Sequence, residues 1–134
     1  MKRLLFALFV AASLTLPAQA KEKPNTVIIH PGEVVYARFE ANGKKIKLVS
    51  YSKAKDEAAQ VIFSLLPDEK KPVNNLKVEN KFPRDLTYRV EMRSLVRKQR
   101  FPRETTPVVA GKLAFEIIPK EADELAVFEF KLEK

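Results

Sequence analysis

Residues 86–93 alternate. Leu86, Tyr88, Val90 and Met92 are apolar, and Thr87, Arg89, Glu91 and Arg93 between them are polar. A period of two marks a strand with one buried face, and a face of Leu, Tyr, Val and Met needs a second layer over it. Residues 26–30 (TVIIH) form a short β-branched strand, after which His30-Pro31-Gly32 turns the chain. Residues 33–52 make the clearest hairpin, with Asn42-Gly43 as a two-residue loop that tolerates positive φ at both positions. A type I′ turn there pairs Ala41 with Lys44, Glu40 with Lys45, Phe39 with Ile46 and Ala37 with Leu48. Val35, Ala37, Phe39, Ile46 and Leu48 then share a face. The other face sets Glu40 beside Lys45, Arg38 beside Lys47, Tyr36 beside Val49 and Val34 beside Tyr51.

Residues 53–66 fit two periods, since Ala58, Val61, Ile62, Leu65 and Leu66 have helical spacing while Val61, Phe63 and Leu65 alternate. The reading adopted is a polar loop or single helical turn over residues 53–58 and a strand over 60–66. Residues 67–72 turn between two prolines. Residues 75–82 alternate Leu76, Val78 and Phe82 against Lys77, Glu79 and Lys81, and Phe82-Pro83-Arg84-Asp85 reverses the chain, so this strand and residues 86–92 are expected to form a second hairpin. Residues 95–105 carry no pattern and are expected to be the longest loop. Residues 107–110 are read as a short edge strand. Residues 112–118 turn Leu113, Phe115 and Ile117 inward. Residues 125–132 set Ala126, Phe128, Phe130 and Leu132 on one face. About eight short strands without a long helix predict an all-β fold, an antiparallel two-sheet β-sandwich of immunoglobulin-like architecture.

The first twenty residues stand apart from this pattern. Met1-Lys2-Arg3 is a basic start, residues 4–16 are an apolar run too short to span a bilayer, and Pro17-Ala18-Gln19-Ala20 ends in a small-x-small site. These are the marks of a secretory signal peptide over residues 1–20, cleaved after Ala20, which makes the protein periplasmic or secreted and leaves residues 21–134 as a single β-domain. No lipid anchor of the lipobox type is available, because the chain has no Cys, and no other apolar stretch reaches membrane length. An exported chain without Cys gains nothing from the oxidising compartment, so burial alone must hold it together. The net charge of +8 falls to +6 once Lys2 and Arg3 leave with the signal. A basic exported domain is suited to anionic surfaces and acidic proteins.

Inventory argues against nucleophilic catalysis. There is no Cys, there is one His, His30, and no Ser sits in G-x-S-x-G. His30 at its turn is expected to face solvent or cap. A zinc site lacks ligands, and Glu121, Asp123 and Glu124 lack the spacing of a calcium loop. Asp56-Glu57 and Asp68-Glu69 lie in exposed loops, where carboxylates stay solvated rather than acquire the shifted pKa that acid/base work needs. No cofactor is expected.

One basic cluster remains. Arg93, Arg97, Lys98, Arg100 and Arg103 fall within eleven residues and surround Phe101, offering fork-shaped donors and a stacking surface to carboxylate, phosphate or sulfate groups. No nucleic-acid motif accompanies them. The sequence therefore points to a non-catalytic exported binding or accessory module whose basic loop meets an acidic envelope component or protein partner. The alternative is a secreted inhibitor of a hydrolase, such as a lysozyme or protease, with residues 95–105 as the inserted element.

Overall fold

The computed structural model describes residues 23–133; the segment read as a signal peptide lies outside them. The described residues form nine strands and no helix: β1 (Val27–Ile29), β2 (Val34–Asn42), β3 (Lys45–Ser52), β4 (Val61–Pro67), β5 (Val73–Asn80), β6 (Leu86–Ser94), β7 (Gln99–Glu104), β8 (Leu113–Pro119) and β9 (Glu124–Leu132). Every pairing is antiparallel. The all-β antiparallel expectation therefore holds, but the two-sheet sandwich does not. Hydrogen bonding follows one path, β7-β6-β9-β3-β2-β4-β5-β8, with β1 on β9 beside it, and the sheet curls into a half-barrel. The two halves stay joined because β9 pairs along both edges. One edge meets β6, and the other meets β1 at Val27↔Val127 and β3 at Lys45↔Lys131.

A bulge in β9 decides what the barrel holds. The register steps from Thr87↔Lys131 to Arg89↔Phe128, which leaves an extra residue on β9, and Glu129 takes φ +54°. One extra residue reverses the side-chain parity. Leu125 and Val127 before the bulge and Phe130 and Leu132 after it all enter the core, whereas Ala126 and Phe128 are buried on the outer face. The expected single face of Ala126, Phe128, Phe130 and Leu132 is thus split. Phe130 packs on Phe39 with ring centroids 4.9 Å apart and on Phe63 at 5.9 Å, in tilted arrangements that aromatic pairs favour. Lys23 covers Phe128 on the outside, its Nζ 4.9 Å from the ring centroid.

The β2–β3 hairpin forms two residues out of the expected register. Gly43 and Lys44 are its loop, with Asn42↔Lys45, Ala41↔Ile46 and Phe39↔Leu48 paired. Gly43 has φ +67° and neither Asn42 nor Lys44 is positive, the pattern of a II′ turn with Gly first rather than I′. A two-residue shift preserves faces, so Phe39 and Ile46 are still buried. It also replaces the unfavourable Arg38–Lys47 neighbours by Glu40↔Lys47. A second bulge at Arg38/Phe39 makes Val49 the extra residue and sets Ala37 opposite Tyr51.

Residues 53–60 are irregular and β4 follows, as expected. The expected second hairpin is absent: β5 pairs with β4 and β8, while β6 pairs with β7 and β9. Residues 81–85 instead cross from one half of the sheet to the other. Asn80 explains why. It is buried, its Nδ2 donates to the carbonyls of Arg84 at 2.8 Å and Val108 at 3.0 Å, and its Oδ1 accepts from the Phe82 N–H at 2.9 Å. This closes the turn and ties it to residue 108, which makes an isolated bridge to Leu86 rather than an edge strand.

The expected long loop over residues 95–105 is a turn at 95–98 followed by β7. In β8 the expected facing is inverted. Leu76 and Val78 of β5 point inward, and Leu76↔Glu116 and Val78↔Ala114 are partners. Residues 114, 116 and 118 must therefore face inward too, and Leu113, Phe115 and Ile117 are exposed.

Replacing Asn80 by Ala leaves the Phe82 N–H and the Arg84 carbonyl without this partner, while the Val108 carbonyl keeps its bond from the Leu86 N–H, and at about 1–3 kcal/mol for an unsatisfied buried group the loss of stability should be about 3 kcal/mol. Urea unfolding measures it; a loss under about 1 kcal/mol would mean that this side chain does not hold the crossover.

Candidate functional site

The basic cluster is a hairpin, β6–turn–β7, at one edge of the sheet. Its register sets Arg93 opposite Arg100, Met92 opposite Phe101 and Glu91 opposite Pro102. Pro102 lacks an N–H, which an edge strand tolerates. Residues 95–98 turn the chain, with Lys98 at φ +54°. The turn is tied back to the β8–β9 connection: Asp123 N–H donates to the Arg93 carbonyl and Asp123 Oδ2 accepts from the Leu95 N–H, both at 2.9 Å.

The six residues selected from sequence divide by what they do. Arg93 is a buried structural cation. Its Nε donates to Glu91 Oε1 at 2.8 Å and its Nη1 to Glu124 Oε2 at 3.0 Å. Arg103 reaches across to β8, where Nη1 donates to the Ile117 carbonyl at 2.5 Å and Nη2 lies 3.8 Å from Glu116. Arg97, Lys98 and Arg100 are exposed and make no ion pair among the described residues. Phe101 is about half exposed.

Glu124 extends the Arg93 cluster to the β1–β2 turn. Its Oε1 lies 3.0 Å from His30 Nε2, and His30 Nδ1 lies 3.2 Å from Glu33 Oε1. The His30 backbone N–H also donates to Glu33 at 2.9 Å, and Lys53 Nζ lies 2.6 Å from its other oxygen. His30 is thus a bridge between two carboxylates and only partly the solvent-facing residue expected. Partial burial pushes the Glu33 carboxyl up, but Lys53 and the two His30 donors outweigh it and hold it below its ordinary value of 4.5.

Beside the hairpin lies a cleft of about 370 Å³ between β7 and the β8–β9 connection. Met92, Phe101, Pro119 and Ala122 give it an apolar floor, and Arg97 and Glu121 stand at its rim. At the tip of the hairpin Leu95 is 56% exposed and Val96 is 88% exposed. Sequence reasoning missed the cleft, whose two walls are distant along the chain. Leu95 and Val96 carried a usable signal: two apolar residues that fit no strand period, placed within a run of cations.

No family model, curated protein or solved structure matches the chain. Among the described residues no helix is long and apolar enough to cross a membrane.

Truncating Arg93 to Ala should cost about 2–3 kcal/mol, because the partly buried Glu91 and Glu124 lose the cation they share, whereas Arg97→Ala should change stability by less than about 0.5 kcal/mol. Thermal and urea unfolding of both variants checks this, and equal effects would erase the distinction between structural and free cations. A carboxylate held below its ordinary value contributes stability above that value and loses it as pH falls through the lowered one. Acidifying below 4.5 should therefore destabilise the wild type more than Glu33→Gln, and parallel Tm–pH curves would exclude that role for Glu33.

Proposed function

We propose that this chain is a non-catalytic exported binding module and that its β6–β7 hairpin takes an acidic envelope component or protein partner. The observation that carries this reading is the contrast within one hairpin. Arg93 and Arg103 are bound intramolecularly, while Arg97, Lys98 and Arg100 are left in solvent beside Leu95, Val96 and an apolar cleft. A binding surface combines an apolar centre with a charged rim, and the tip of this hairpin presents both. The expectation of export rests on the sequence of residues 1–20.

A crosslinking pull-down from the producing organism's cell envelope tests the reading. An acidic protein or glycan should be captured at low salt, released at high salt, and lost when Arg97, Lys98 and Arg100 are all changed to Ser. Capture that ignores both salt and these substitutions would sink the assignment.

The inhibitor reading draws support from a different observation. Asp123 and the β6–β7 ladder tie the hairpin down by hydrogen bonds at its turn and along its strands, and a preorganised loop loses little entropy on entering an enzyme cleft. Inhibition of a lysozyme or protease at micromolar concentration, abolished by Val96→Asp, would favour it. Inactivity against a broad panel of both would remove it.

A further inference from the structure

The half-barrel leaves two strand edges facing each other, β7 and β8. In chain direction they are antiparallel, and Arg103 lies across from Ile117 and Phe101 across from Pro119, yet no ladder joins them. An entire arginine side chain spans the gap at Ile117, where a paired strand would lie ~4.8 Å away. Toward Phe101 and Pro119 the gap widens into the cleft.

The β8 edge is the more receptive one. Asn80 N–H donates to the Lys112 carbonyl at 2.9 Å and extends the β5–β8 ladder. Bonded positions alternate in an antiparallel ladder, so residues 112, 114, 116 and 118 bond toward β5. The N–H and C=O groups of Leu113, Phe115 and Ile117 consequently point to the open edge, and the Arg103 bond to the Ile117 carbonyl agrees with this. Leu113, Phe115 and Ile117 are 47%, 59% and 53% exposed. Edges are normally guarded by charge or proline. The β7 edge has Arg100 and Pro102; the corresponding stripe of β8 has Leu, Phe and Ile. With Arg103 and Glu116 paired to each other, the exposed cations Arg97, Arg100, Lys112 and Lys120 of the flanking segments outnumber the exposed carboxylates Glu104 and Glu121.

We infer that the β8 edge accepts, as an added strand, an extended segment of an acidic partner polypeptide with apolar residues at alternate positions. Main-chain bonds to Leu113 and Phe115 hold it, its apolar side chains lie along Leu113, Phe115 and Ile117, and its carboxylates meet the cations across the gap. This rests on the reading of the hairpin as a site for an acidic partner and names how that partner binds.

Eight-residue peptides alternating Val with Glu, Val with Lys, and Val with Glu bearing N-methyl groups on alternate amides are titrated against the purified protein, with amide hydrogen exchange as the readout. The Val/Glu peptide should slow exchange at Leu113 and Phe115 by about tenfold or more. The Val/Lys and N-methylated peptides should not, and Phe115→Asp should abolish the effect in a protein that still unfolds cooperatively. Binding of the Val/Glu peptide with unchanged exchange at those amides overturns strand addition while leaving the basic-hairpin reading intact. Absence of binding overturns strand addition as well, and the hairpin reading is then judged by its own pull-down. Protection that grows with protein concentration in the absence of peptide makes a second copy the occupant and overturns the acidic partner.

Discussion

Strand β9 has hydrogen-bonding partners on both edges, and the rest of the structure depends on that constraint. With β6 on one side and β1 and β3 on the other, it converts what would be two facing layers into one continuous sheet. Residues 125–128 of this strand are buried on both faces, with Leu125 and Val127 inside and Ala126 and Phe128 outside. The bulge at Glu129 then returns Phe130 and Leu132 to the interior, where Phe130 joins Phe39 and Phe63. Without the parity change Phe130 would point outward, and Phe39 and Phe63 would lose the ring that packs against both of them.

Curling without closing has a consequence at the far ends of the same sheet. Eight strands in one path have two terminal edges, and curvature brings β7 and β8 toward each other without letting them pair. Arg103 and Glu116 work across this gap: Arg103 bonds to the Ile117 carbonyl, and Glu116 Oε2 accepts from the Thr106 N–H at 2.8 Å. Glu116 is therefore satisfied although it is buried in an edge strand, as buried carboxylates generally must be. The cleft is the wide end of this incomplete closure, so the architecture places an apolar hollow beside the basic hairpin.

Strand positions were legible wherever one face is buried, as in residues 86–92 and 61–67, because alternation there is a direct image of burial. It failed where burial and alternation part company. Leu113, Phe115 and Ile117 look like an inward face, but β5 sets the parity of β8 through Leu76 and Val78, and this pairing partner is invisible in the local sequence. The β5–β6 crossover was equally hidden, since nothing near Asn80 announces that its amide will reach residue 108. In the hairpin, the identity of the cations was legible but their roles were not. Arg93 and Arg97 are the same residue type four positions apart, and the pairing of Arg93 with Glu91 and the distant Glu124 makes it structural, while Arg97 stays in solvent.

Exposed cations such as Arg97, Lys98 and Arg100 have ordinary limits as binding groups. Each is worth little in water at physiological salt, and their field decays over roughly 8 Å. Charge alone would therefore give a fast, weak and undiscriminating encounter with any anionic surface. Holding one partner requires apolar burial or main-chain hydrogen bonds within reach of those charges, and this fold sets both beside the hairpin: the floor of Met92, Phe101, Pro119 and Ala122, and the unpaired edge of β8. A partner that engages the cations alone should have its affinity dominated by salt. One that also fills the cleft and pairs with Leu113 and Phe115 should retain a salt-insensitive remainder, and that remainder, rather than the charge, would carry its specificity.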